Sequence, residues 1–210
     1  HSGRGNSLAL ARVNEAGWLA VTAQQSGYKG SVTVYNSTFD KTVIQINLSS
    51  TFIMDAVLSP DCKTVAILTL GQSGGSYESQ VRFYPVDQKE PSAVVSLGNL
   101  VPLDLDYENG ALWVLGEDEV VIVSPNGKET ATYSLGGNYL KGCDLGGDGF
   151  AVLLLGRYRA GSANQIVTVD SNGEGDRHSV SHLLRALLLT RQGGISPCSP
   201  AIPSPSTPLI

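Results

Sequence analysis

The chain has 210 residues, 41% of them hydrophobic, with 24 glycines and a net charge of −5. That apolar content supports a real core, while the acidic balance lacks the basic footprint that nucleic acid or an anionic membrane surface requires of a main partner. No apolar run reaches the roughly 18 residues of a membrane span, no signal peptide heads the chain, and the start HSGRGNS, without an initiator Met, reads as a fragment of a longer protein.

The first organised stretch is GWLAVTAQQSGYKGSVTVYN (17–36). It reads as a strand over Trp18–Thr22, a Gly-rich loop over Gln24–Gly30 and a strand over Ser31–Tyr35. The unit recurs. ALARVNEAGWLAV, DAVLSPDCKTVAIL, LDLDYENGALWVL and GCDLGGDGFAVLLL each place a short Asn, Asp, Gly or Pro turn between two apolar runs, which is β-hairpin chemistry. The turn anchors Gly17, Cys62, Gly110 and Gly149 are 45, 48 and 39 residues apart. A third strand follows each hairpin: SVTVYN, QVRFYPVD, EVVIVSPNG and QIVTVDSNG. A more polar fourth closes the first three: KTVIQINL, SAVVSLG and KETATYSLGG; the last copy has only GEGDRHSV there.

Four antiparallel strands in 40–50 residues make the repeat of a β-propeller blade. The fold class expected is therefore all-β, with blades at 7–50, 51–99, 100–137 and 138–180 after a disordered start at 1–6. An irregular β-sandwich, the alternative, does not predict such a period. First strands belong at the centre and polar fourth strands at the outside.

A fifth blade begins at 181–190, with LLRALLLT after His182, and Gly193 and Gly194 stand where its turn belongs. From Ile195 the chain reads ISPCSPAIPSPSTPLI, with five of its ten prolines. Proline cannot donate to a ladder, so the expected second strand is excluded there and residues 191–210 read as a poorly ordered tail. One inserted cytosine near the codon for Thr190, in a chosen back-translation, restores a turn, a strand, a loop and a further strand; a frameshift is one reading and a genuine Pro/Ser-rich tail the other. As an open arc the chain should expose blade faces and self-associate.

SGYKGSVTVYN (26–36), VLSPDCKTVAILTL (57–70) and GGDGFAVLLLGRYRAGSANQIVTVD (146–170), set in the blade pattern, resemble a family of clostridial proteins of unknown function. The likeness covers about Leu8 to Thr190. It implies a propeller with WD40-like or quinoprotein-like repeats on the outer side of a bacterial membrane, held by an N-terminal membrane anchor that this chain does not contain. It brings no catalytic motif with it.

In a propeller, second-to-third loops open on the same face as the links between blades. Gln24–Gly30, Gly71–Ser79 and Gly156–Asn164 read as long loops of this kind. They bring Tyr28, Lys29, Tyr77, Arg157, Tyr158 and Arg159 to one rim. Tyr and Arg are frequent binding anchors, and Arg157 with Arg159 would clamp a carboxylate or phosphate. The competing reading is that the Tyr rings pack over the adjacent blade and the cations solvate the loops.

Asp55, Asp104, Asp106 and Asp144 fall on first strands near the central channel. They would hold a cation or exchange protons, but structural bonds to backbone amides explain them more simply. His1, His178 and His182 have no metal-ligand spacing, and no GxSxG, HExxH or P-loop occurs. Cys62, Cys143 and Cys198 form no CxxC pair, and Trp18 and Trp113 suit blade-to-blade packing. No cofactor and no metal are expected. The reading is a non-catalytic interaction or ligand-sensing module at the cell envelope, with a protein or small envelope ligand as partner. The alternatives are a propeller hydrolase or lyase using the channel, or an assembly scaffold.

Overall fold

A computed structural model describes residues 8–25, 27–108, 110–124, 126–135, 140–146, 149–154, 164–170, 172–180, 187–189 and 195–197. Every element among them is a β-strand. The first sheet holds β1 (Leu8–Val13), β2 (Leu19–Gln25), β3 (Lys29–Tyr35) and β4 (Thr42–Ser49). The second holds β5 (Thr51–Leu58), β6 (Thr64–Ser73), β7 (Ser76–Pro85) and β8 (Ala93–Ser96). The third holds β9 (Pro102–Glu108), β10 (Ala111–Gly116), β11 (Glu119–Val123) and β12 (Glu129–Ser134). The fourth holds β13 (Leu140–Gly146), β14 (Gly149–Leu154), β15 (Asn164–Asp170) and β16 (Gly175–Val180). Each sheet is a four-stranded antiparallel meander in chain order, and the first strands lie beside one another, β5 against both β1 and β9. This is the blade arrangement of a β-propeller, with the sheets stacked and the ring not closed.

The sequence explains which strands sit where. In β4, TVIQINLS alternates, and its burial alternates with it: one face meets the next blade and the other meets water. In β6, Val65–Leu68 are apolar without a break and Val65–Thr69 are all buried, because blades pack on both of its faces. The core is a series of seams. Ala20, Val32, Val34, Ile44 and Ile46 of the first blade meet Val65, Ile67 and Tyr84 of the second. The other face of the second blade, with Ala66, Leu68, Val81 and Phe83, meets Leu105, Leu112, Val114 and Val123 of the third. Trp113, Leu115 and Ile122 then meet Val167 and Val169 of the fourth. Trp113 is fully enclosed and Trp18 packs at the edge of the first seam.

Polar turn chemistry fixes the hairpins that join first strands to second and third strands to fourth. Asp61 accepts bonds from the Ser59 hydroxyl at 2.6 Å and the Lys63 amide at 3.1 Å. Asp170 accepts from the Asn172 and Glu174 amides at 2.9 and 3.0 Å. Asn14 caps its own turn through the Trp18 amide at 2.9 Å and reaches the next blade's turn at the Ser59 carbonyl, 3.0 Å away.

Two expectations need correction. Gly71–Ser79 is not a long loop: β6 and β7 pair through Ser73 and Ser76, leaving Gly74 and Gly75 as a two-residue turn with φ of 59° and 87°. Paired positive φ values give the type I′ turn that suits strand twist, so two glycines let the ladder run to its tip. Gln24–Gly30 shortens likewise, because Gln25 pairs with Lys29 and Gln24 with Gly30. The second correction concerns the Pro-rich end. A fifth pair forms between β17 (Leu187–Leu189) and β18 (Ile195–Pro197). Its Pro197 ends a three-residue strand that pairs only with β17, where a missing N–H is tolerated. The other residues of 190–210 lie outside the described residues.

Candidate functional site

Strand direction places the rim. Second-to-third turns and blade-to-blade links share one end of the blades, and that end gathers exposed apolar side chains: Tyr28, Phe52, Tyr77, Val101 and Leu103. Tyr28 is 54% exposed and Phe52 39%, and their rings meet edge to face with centroids 5.6 Å apart at 86°. The pair spans the first two blades. Tyr28 holds φ at 57°, a left-handed conformation costing a bulky residue about 1–2 kcal/mol, and such strain persists only where its surroundings enforce it.

Those surroundings are visible. Gln24 is buried; its amide NH2 donates to the Lys29 carbonyl at 3.0 Å, and its side-chain oxygen accepts the Ile53 amide at 2.9 Å. One side chain thus ties the first rim hairpin to the strand carrying Phe52. Gly30 makes room for this: a Cβ there would stand 2.7 Å from Ile53 Cδ1 and 2.9 Å from Gln24 Oε1. In the second blade Ser79, at the place of Gly30, does the same work by donating its hydroxyl to the Leu100 carbonyl.

Tyr77 is 68% exposed, two residues past the Gly74–Gly75 turn. Lys29 is exposed beside Tyr28. Arg157, Tyr158 and Arg159 lie outside the described residues. The ring of Tyr28 does contact the adjacent blade, as the packing alternative has it, yet more than half of the residue remains open to solvent. Gln24 and Phe52 were missed from sequence. The available signal was Phe52 standing beside Ile53 at the start of a first strand, where successive side chains point to opposite faces.

The inner-strand carboxylates are engaged. Arg12 of β1 donates from Nη2 to Asp55 Oδ2 at 2.8 Å and from Nε to Oδ1 at 3.5 Å, and Nη2 also bonds Asp104. One guanidinium therefore joins three consecutive blades. Each carboxylate also accepts the next residue's amide: Ala56 on Asp55 at 2.8 Å, Leu105 on Asp104 at 2.9 Å and Tyr107 on Asp106 at 2.8 Å. Burial raises the Asp55 carboxyl above its ordinary pKa while Arg12 pulls it down. Crowding by the inner strands raises Asp106 too, although the residue stays solvent-exposed. Burial works against the Arg12 charge, but Asp55, Asp104 and Asp106 outweigh it and hold the proton more firmly than usual. This is a structural tie. Asp144 is on β13, with its side chain outside the described residues. His178 is exposed on β16, and His1 and His182 are undescribed. Among the described residues no group of three His, Cys, Asp or Glu side chains is placed to hold a metal ion.

Solved structures share the architecture. The chain superposes on Hsv2 of Kluyveromyces lactis with a TM-score of 0.59 and 15% identity, covering 92% of this chain and 57% of that one. The Swd1 β-propeller domain of Myceliophthora thermophila gives 0.58 and 15%, covering 91% and 61%. A structure described as a eukaryotic initiation factor gives 0.54 and 11%, covering 91% and 48%. The chain thus spans about half to three-fifths of these proteins, and identities this low establish the fold alone. No curated protein sequence matches it. Residues 6–175 match the profile described as "Family of unknown function (DUF5711)", and with most of its length inside that match the chain belongs to the DUF5711 family.

Proposed function

We propose that the chain is a non-catalytic β-propeller module that binds a protein partner across its rim, at the cell envelope. The observation that carries this reading is the edge-to-face Tyr28–Phe52 pair, with Tyr28 strained and 54% exposed and Phe52 39% exposed. Tyr77, Val101 and Leu103 lie at the same end of the blades. An isolated exposed apolar residue needs no explanation; five at one end of a stacked array mark an interaction surface. Stacked sheets supply stiffness, and Gln24 and Ser79 anchor the hairpins, so binding would cost little ordering entropy. Large exposed aromatic side chains are the anchors that protein surfaces most often engage. The inner carboxylates, tied to Arg12 and to backbone amides, favour this reading over channel chemistry. Envelope location rests on the sequence resemblance.

The test is capture on the immobilised chain from separated membrane and soluble fractions of the source cell. Proteins held by the wild type should be lost from a Tyr28→Gly/Lys29→Ala/Tyr77→Ser variant that melts normally. An identical captured set on both would refute the rim assignment, and capture from the soluble fraction alone would refute the envelope.

A further inference from the structure

The outer edge of the first blade is a surface apart from the rim. Among the described residues β4 pairs with β3 alone, so the backbone groups along its far side meet no strand. Neighbouring blades stack on faces, as the described seams show, and such stacking leaves an outer edge uncovered whatever precedes or follows it. The other outer strands carry features that keep an edge from pairing. β8 has four residues and follows Lys89, Glu90 and Pro91; β12 begins with Glu129 after Lys128; β16 holds Asp176 and Arg177. β4 has none of these. It is eight residues long, no charge or proline occurs between positions 42 and 54, and its one register shift lies ahead of Ile44. Residues 44–49 thus form a regular, neutral edge of the kind that accepts another strand.

The strand it fits is its own copy. About Ile46 the sequence is symmetric by residue type: Gln45 mirrors Asn47, and Ile44 mirrors Leu48. Two antiparallel copies related by a two-fold axis at Ile46 set amide against amide on the exposed face and branched aliphatic against branched aliphatic on the seam face, with no like charges opposed. Gln45 and Asn47 are exposed and bond each other, Nε2 to Oδ1 at 3.4 Å. Ile44, Ile46 and Leu48 are held in their own seam, so the edge meets its mate already ordered. We infer that β4 pairs antiparallel with β4 of a second copy of this chain, joining two four-stranded blades into one continuous sheet. Each copy offers the same free edge, so a single contact satisfies both and closes at a dimer.

Hydrogen exchange and sedimentation of the purified chain across a concentration series test this. The wild type should approach twice the 22.1 kDa of one copy, and the β4 amides that point away from β3 should gain protection as it does. Gln45→Lys/Asn47→Lys sets like charges opposite each other in both symmetric pairs and should weaken association by about tenfold or more. Gln45→Lys/Asn47→Glu sets opposite charges there and should associate at least as well as the wild type. Both positions are exposed in the single copy; if either variant fails to fold, exchange of the wild type decides. A wild type that stays monomeric up to about 100 μM, association without new protection in β4, or equal association of the two variants overturns the inference.

Discussion

Replacing Arg12 by Met keeps the length of the side chain and removes the charge that joins three blades. The Asp55 side chain is 5% exposed and would lose its cation. A unit charge pair about 4 Å apart is worth about 4 kcal/mol at an effective dielectric of about 20, and breaking buried pairs costs about 3–5 kcal/mol. Arg12 is itself 42% exposed, so water already screens part of its field. The expected loss is therefore about 2–3 kcal/mol, or about 5–10 °C in Tm for a chain of this length. The pH dependence follows from Asp55, whose carboxyl is raised by burial. A carboxyl with a raised folded-state pKa imposes no penalty below its unfolded value near ~3.9, and withdraws stability as pH rises through the folded value. Removing Arg12 raises that value further, so the deficit should be largest at neutral pH and narrow as pH falls toward ~4. Urea melts of wild type and Arg12→Met at a series of pH values measure this. An Arg12→Met/Asp55→Leu variant should recover at least half of the loss, because no unpaired charge stays buried. A deficit below about 0.5 kcal/mol, or one that does not change with pH, would refute the reasoning.

Other outcomes follow from the seams and the rim. Trp113→Ala empties the fully buried centre of the third-to-fourth seam and should cost about 3–5 kcal/mol in chemical denaturation. Gly30→Ala should cost about 1–2 kcal/mol, since the new Cβ falls 2.7 Å from Ile53 Cδ1 and 3.1 Å from the Ala23 carbonyl; solvent exchange at the Ile53 amide should rise with it. Tyr28→Gly relieves the left-handed strain and should leave Tm unchanged or raised by a few degrees while abolishing partner capture. A simultaneous fall in Tm would make Tyr28 a packing residue.

The blades were legible because the repeat is written in local chemistry. Asn14, Asp61 and Gly110 mark turns, and apolar runs flank them in every copy, so strand order needed no long-range information. Hairpin length was misjudged at Gly71–Ser79. Polar and glycine residues there look like loop, but Gly74 and Gly75 supply paired positive φ and the strands extend to meet them. The exclusion of strand structure after Gly194 failed for a related reason, since Pro197 forbids a donor only at its own position. Arg12 was overlooked because ALARV shows one charge in an alternating strand. Its meaning comes from Asp55 and Asp104, 43 and 92 residues away. The hint was that Arg12 occupies the register position of Asp106, a cation where another copy has a carboxylate. Gln24 was hidden in the same way, for a buried amide has no signature until the neighbouring blade's unpaired Ile53 amide is placed beside it. Tyr28, Lys29 and Tyr77 were reachable because rim turns are local.

The most direct measurement compares capture by two variants that remove exposed aromatic rings from opposite ends of the blades. Tyr28→Gly/Tyr77→Ser alters the rim, and Phe39→Ser alters an exposed side chain in the turn between β3 and β4. With both variants folded, the account predicts that proteins held by the wild type persist on Phe39→Ser and disappear from Tyr28→Gly/Tyr77→Ser. Loss from Phe39→Ser with retention on the rim variant would contradict it.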